Sequence, residues 1–129
     1  MSNRRKPARY NRYRSDFLKS AQWRERRTRW FDEQRELRLP LACAACGKAA
    51  IAARLVLHHL DYRGVQRVDG GWTAAEPHED LKPLHADCHD LLHRLIDRDM
   101  VLARHRSRRD ATVLALARLH AKLTEQEAS

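Results

Sequence analysis

The residues able to do chemistry in this 129-residue chain are mostly its cysteines and histidines. Cys43 and Cys46 flank two residues in the string CAACG, which brings both thiolates to one side of a tight turn at zinc reach. His85 and Cys88 repeat that spacing about 40 residues later and complete a Cys3His set that uses all three cysteines. A tetrahedral set of this kind has no open position. The structural Zn2+ it implies would staple two distant segments of a small core and take no part in catalysis. Three buried reduced thiols beside an unrelated histidine would leave the same string, and His85 is the weakest member of the set.

A second group is made of histidines alone. Six of the eight lie between residues 58 and 93. His58 and His59 are adjacent at the end of an expected strand, so their side chains leave on opposite faces. His89 and His93 stand four apart on an expected helix and share one face. A strand histidine opposed to two helix histidines is a metal site of borderline nitrogen type, and the other strand histidine can act as a base near neutral pH. Singly, each would read as a loop or helix-surface residue; the clustering carries the argument.

Elements must bring these residues together. Trp23, Trp30, Phe31, Gln34 and Leu37 recur at helical spacing after Ser20, a natural N-cap, and before Pro40, which predicts a helix over 21–38 with the tryptophans as core anchors. The apolar, partly β-branched run 51–58 predicts a strand, and 65–68 with 72–73 a hairpin across Asp69-Gly70-Gly71. Pro77 and Pro83 predict irregular chain over 76–84. Leu91, Leu92, Leu95 and Ile96 predict a helix over 86–98. A last helix is expected from an Asp110 cap to about Thr124, with Val113, Leu116, Ala117, His120 and Leu123 on its apolar face.

The net charge of +9 is unevenly placed. Residues 1–40 hold 13 Lys/Arg against 5 Asp/Glu, whereas 41–129 hold 13 against 12. Arg4, Arg5, Lys6, Arg9, Arg12 and Arg14 surround Tyr10 and Tyr13, a pattern suited to phosphates and stacked bases, or to a solvated tail. Residues 100–109 add five basic side chains, counting His105, and read either as a second phosphate-facing segment or as a solvated linker. No apolar run approaches the roughly 18 residues of a membrane span, and no apolar h-region follows the first arginines. The odd cysteine count excludes a complete disulfide framework. The expectation is a cytoplasmic protein, not secreted and without a membrane partner, that meets nucleic acid.

The string VLHHLDYRG at 56–64, followed by HEDLKPLHADCHDLLH at 78–93, resembles the HNH endonuclease family in its paired-histidine variant. FLKSAQWRERR at 17–27, with CAACG, is similar to the segment many of these proteins carry ahead of the nuclease motif. The resemblance covers residues 17–93. It implies an α+β fold: a small zinc-stapled ββα-metal (His-Me finger) core flanked by N- and C-terminal helices. The divisions are then a basic arm at 1–16, the nuclease domain at 17–98, and a basic linker with a helix at 99–129. It further implies His58 and His89 as ligands of a catalytic divalent ion (Mg2+, Mn2+ or Zn2+). His93 becomes a third ligand or a phosphate contact, and His59 the general base. Asp80 orients the base or supports its loop, and Tyr62 and Arg63 hold phosphates. The partner would be DNA, most naturally double-stranded, with a homodimer possible. Three departures stand out: His85 replaces a cysteine, Asp80 an asparagine, and 65–76 is long, with Glu79 as a possible extra acidic contact. A non-catalytic zinc-stabilised nucleic-acid-binding module, or an adaptor using the last helix as its surface, are the competing readings.

Overall fold

Ser20 opens the first long helix by accepting the Trp23 N–H on its hydroxyl (3.1 Å). This helix, α1, spans Ala21–Glu36 in the computed structural model, which describes residues 15–98 and 107–128. Trp23, Arg26, Trp30 and Phe31 form its buried stripe. It ends two residues before the expected boundary because Arg38 adopts a left-handed φ of 55°. Leu37 therefore falls off the stripe and is 56% exposed.

The expected strand starts late. Ala52–Arg54 form a 3-10 turn closed by the Arg54 N–H on the Ile51 carbonyl (2.9 Å), since alanines add little to a pleated surface. Strand β1 is Leu55–His59, so it includes both paired histidines. Strands β2, Val65–Val68, and β3, Gly71–Ala74, form the expected hairpin through a two-residue Asp69-Gly70 turn. The stretch expected to be irregular contains strand β4, Leu81–His85, antiparallel to β1 with His58 opposite Lys82 and His59 opposite Leu81. Pro83 is tolerated there because both strands of a two-stranded sheet are edges. Its carbonyl accepts the Ala44 N–H (2.8 Å) and so docks the cysteine turn onto β4.

Helix α2, Ala86–Arg98, follows β4 directly. Helix α3, Arg108–Ala128, begins earlier than expected, with Ser107 in place of Asp110 as its cap: the Ser107 hydroxyl accepts the Asp110 N–H (3.1 Å). The face that α3 buries also differs. Ala111, Thr112, Ala115, Leu116 and Leu119 are buried, whereas Val113, Ala117 and His120 are exposed. Small residues at 111 and 115 let α3 lie close to its neighbours, and Val113 falls outside that stripe.

Among the described residues the result is an α+β arrangement of two short antiparallel sheets, three helices and a helical turn at 15–18. Trp23 and Phe17 cover the β1 face that carries His59, while α2 and α3 cover the face that carries His58. Among the described residues no helix is long and apolar enough to cross a membrane.

Candidate metal centres

His58 leaves β1 toward the two helices that bury its face. Its Nδ1 lies 3.1 Å from His89 Nε2, and His93 Nε2 lies 3.0 Å from the same atom. The strand and helix positions thus converge as their spacing predicts, and the three donor atoms fit within 4.8 Å. Ligand nitrogens at about 2.0–2.1 Å from zinc would stand about 3.3–3.4 Å apart in a tetrahedron. A small cation therefore fits with a few tenths of an ångström of expansion. Burial, reinforced by the charges of Arg108, His93 and His89, pushes His58 down to about 2. Burial lowers His89 as well, against the pull of Asp90. Neutral rings keep their lone pairs available to a metal. His58 Nε2 faces the buried Thr112 hydroxyl at 3.4 Å, which can accept the ring proton from Nε2 when Nδ1 serves a metal.

Cys43, Cys46, His85 and Cys88 form the second cluster, again with every donor within 4.8 Å, and it could bind a metal such as zinc. Cys46 Sγ is 3.4 Å from His85 Nδ1. Burial opposes ionisation of Cys43, but backbone donors at Cys46, His85 and Ala45 outweigh it and lower the thiol. Cys88 is raised by burial and by the neighbouring sulfurs of Cys43 and Cys46. Thiolates crowded this closely oppose each other's ionisation, and a divalent cation relieves that conflict. Cys88 and His89 are consecutive, so one turn of α2 serves both clusters. Helix α3 reaches both as well: Thr112 meets His58, and His120 Nδ1 donates to the Ala45 carbonyl (3.0 Å). Gly47 permits that approach, being at φ 79° with His120 Cε1 only 3.2 Å from where a Cβ would stand.

His59 points the other way, into a pocket of rings. Tyr62 stacks on it at 4.3 Å with a 9° interplanar angle, and Trp23 and Phe17 lie at 4.7 and 5.9 Å. Its Nε2 donates to Glu76 Oε2 at 2.6 Å, and both side chains are buried. This bond places the proton of the neutral ring on Nε2 and the basic lone pair on Nδ1. Glu76 reaches His59 because residue 64 is glycine: a Cβ there would sit 2.6 Å from Ala75 and Glu76 backbone atoms. The Glu76 carbonyl also accepts the Arg26 Nε–H (3.0 Å).

Asp80 is fully buried and meets arginines. Arg63 donates Nε to Oδ2 (2.7 Å) and Nη2 to Oδ1 (3.1 Å), and Arg109 donates to Oδ1 as well. Burial alone would raise this carboxyl, but the bonds from Arg109 and Arg63 hold it below the usual carboxylate range. The Asp80 carbonyl accepts the Leu60 N–H (2.7 Å). Asp80 thus ties together the loop after β1, the start of β4 and the start of α3. Glu79 is exposed, 3.9 Å from Arg63, whereas the carboxylate bonded to His59 is that of Glu76. Arg4, Arg5, Lys6, Arg9, Arg12 and Arg14 lie outside the described residues, as does most of the basic stretch 100–109.

Sequence reasoning missed Glu76 and Thr112, and took Arg108 and Arg109 only as members of the basic stretch 100–109. No motif marks their partners, which they meet across 17 to 54 residues of chain. No protein-family model matches this sequence, and no curated protein or solved structure matches it either.

Proposed function

We propose that the protein is a metal-dependent HNH-type endonuclease that hydrolyses DNA phosphodiester bonds. The observation that carries this reading is the pairing, on consecutive residues of β1, of a three-nitrogen donor set with a carboxylate-bonded imidazole. The order β1, β4, α2 around the donor set supports it, being that of a ββα-metal core. His58, His89 and His93 would hold a catalytic Mg2+, Mn2+ or Zn2+, and the Cys3His cluster a structural Zn2+. When bound, the divalent ion supplies Lewis-acid stabilisation of the charge that develops on phosphodiester oxygens. His59 takes the proton of the attacking water on Nδ1. Glu76 accepts from Nε2 throughout and stabilises the imidazolium that results. Asp80 is a positioning residue that fixes the loop after β1 through Arg63. The basic residues of the arm add affinity for backbone phosphates, with the steep salt dependence that implies.

One observation favours a second reading. His59 is only 2% exposed, covered by Phe17, Trp23 and Tyr62, whereas a base must reach water. A zinc-stabilised module that binds nucleic acid without cutting it would have no such requirement. Supercoiled plasmid incubated with Mg2+, Mn2+ or Zn2+, with and without chelator, separates the two. The nuclease reading expects metal-dependent nicking; binding without cutting in every metal favours the module.

A further inference from the structure

Three arginines gather at the end of β1, and two of them are neutralised. Arg63 and Arg109 both close on the Asp80 carboxylate, with Glu79 3.9 Å from Arg63 and Asp61 3.7 Å from Arg109, so neither offers an uncommitted charge to a ligand. Arg108 is held differently. Its Nε donates to the His59 carbonyl (3.2 Å), and its guanidinium carbon lies 5.2 Å from the centroid of the Tyr62 ring. Among the described residues it has no carboxylate partner. One turn further along the same face of α3, Thr112 meets His58. The first turns of α3 therefore address both paired histidines, His59 through Arg108 and His58 through Thr112. The Arg108 charge is also felt by the histidine cluster, where it helps to lower His58 and His89.

A guanidinium anchored by a carbonyl and a ring face keeps its terminal N–H groups for another acceptor. Arg108 thus brings a charge without a carboxylate partner among the described residues, and the ligand complementary to it is an anion. The planar fork of arginine matches two oxygens of a phosphate. We propose that Arg108 is the phosphate-binding arginine of the three-histidine centre, gripping non-bridging oxygens of the phosphodiester that docks there. It takes the role that proximity in sequence suggested for Arg63. This inference rests on the reading of the centre as a nucleic-acid site.

The test is binding of a short fluorescent DNA duplex to the full chain, by anisotropy across a salt series, with no divalent ion added. Arg108→Ala is expected to weaken binding about tenfold and to lower the slope of log K against log salt by about one. Arg63→Ala removes the same formal charge from a positioning contact, and its loss of affinity is expected to be at least about threefold smaller than that of Arg108→Ala, because Asp80 and Glu79 already pair that arginine. Arg108→Lys keeps the charge and loses the fork, so its slope should match the parent while its affinity falls by about threefold or more. The lysine variant keeps the test decisive if the alanine variant does not fold, with zinc content and circular dichroism reporting the fold. Parent-like affinity in Arg108→Ala, or an equal loss in Arg63→Ala, would overturn the proposal. Plasmid cleavage with added Mn2+ separates the two claims. Arg108-dependent binding without cutting by the parent removes the nuclease reading and leaves the phosphate contact. Cutting by the parent with Arg108-independent binding does the reverse.

Discussion

Thr112 would support the proposed three-histidine centre without donating to the metal. Its hydroxyl stands 3.4 Å from His58 Nε2 and can accept the ring proton there, leaving Nδ1, which faces His89, for a metal. Thr112→Val keeps the shape and removes the acceptor. Metal affinity at the three-histidine centre should then fall by about tenfold, and Thr112→Ser should restore it. A cobalt titration checks this, since nitrogen-only and thiolate-rich sites give distinct absorption bands. The two clusters of cysteines and histidines were legible in the sequence, because a two-residue gap and an i, i+4 pair fix local geometry. Thr112 and Glu76 were not, because a lone hydroxyl or carboxylate carries no spacing signal, and Arg108 was marked only as one of a basic stretch. Their contacts exist only once β1, the hairpin and α3 have packed.

At the scale of elements, Gly64 is the clearest case of backbone placing chemistry. Its missing Cβ lets Ala75 and Glu76 pass within 2.6 Å of the space a side chain would fill, and the Ala75 N–H bonds the Gly64 carbonyl (2.9 Å). Gly64→Ala should push that strand exit away and break the bond between His59 and Glu76. The expected cost is about 1–3 kcal/mol, read from urea denaturation, with a loss of cleavage larger than the loss of DNA binding. Amphipathic spacing located α1, α2, α3 and the hairpin in advance. It failed at β4, where Pro83 argued for irregular chain but stands in an edge strand with its carbonyl turned to Ala44. It also misplaced the face of α3. That face is chosen by small residues at 111 and 115 and by Thr112 meeting His58, and Val113 is left in solvent.

Across the whole molecule, two clusters of metal-binding character are built on one frame. Consecutive residues Cys88 and His89 serve both, α3 touches both, and Asp80 fastens the start of α3 to β1 and β4. The pH dependence of that fastening follows from the lowered carboxyl of Asp80. Its folded value lies below the unfolded one, about 3.9. The carboxylate therefore adds stability above that range, and the contribution disappears as pH falls through the lower, folded value. Asp80→Asn should cost about 1–3 kcal/mol at pH 7. The gap to the parent should narrow in acid, as urea midpoints at pH 7 and at pH 3 would show. The charge of +9 belongs to the same scale: most of the excess lies in residues 1–40, apart from the chain that carries the histidines and cysteines. The proposed affinity for a polyanion would thus draw on residues 1–40 as well as on Arg108 beside the proposed chemistry.

The central claim is that His59 is the base of a metal-dependent phosphodiester hydrolysis, and single-turnover cleavage tests it most directly. Supercoiled plasmid would be mixed with saturating protein and Mn2+, using the parent and His59→Ala, with DNA binding measured in parallel. The parent is expected to nick the plasmid, and His59→Ala to bind as tightly but cut at least about 100-fold more slowly. Equal cleavage by the two proteins, or binding without cleavage by both, would contradict it.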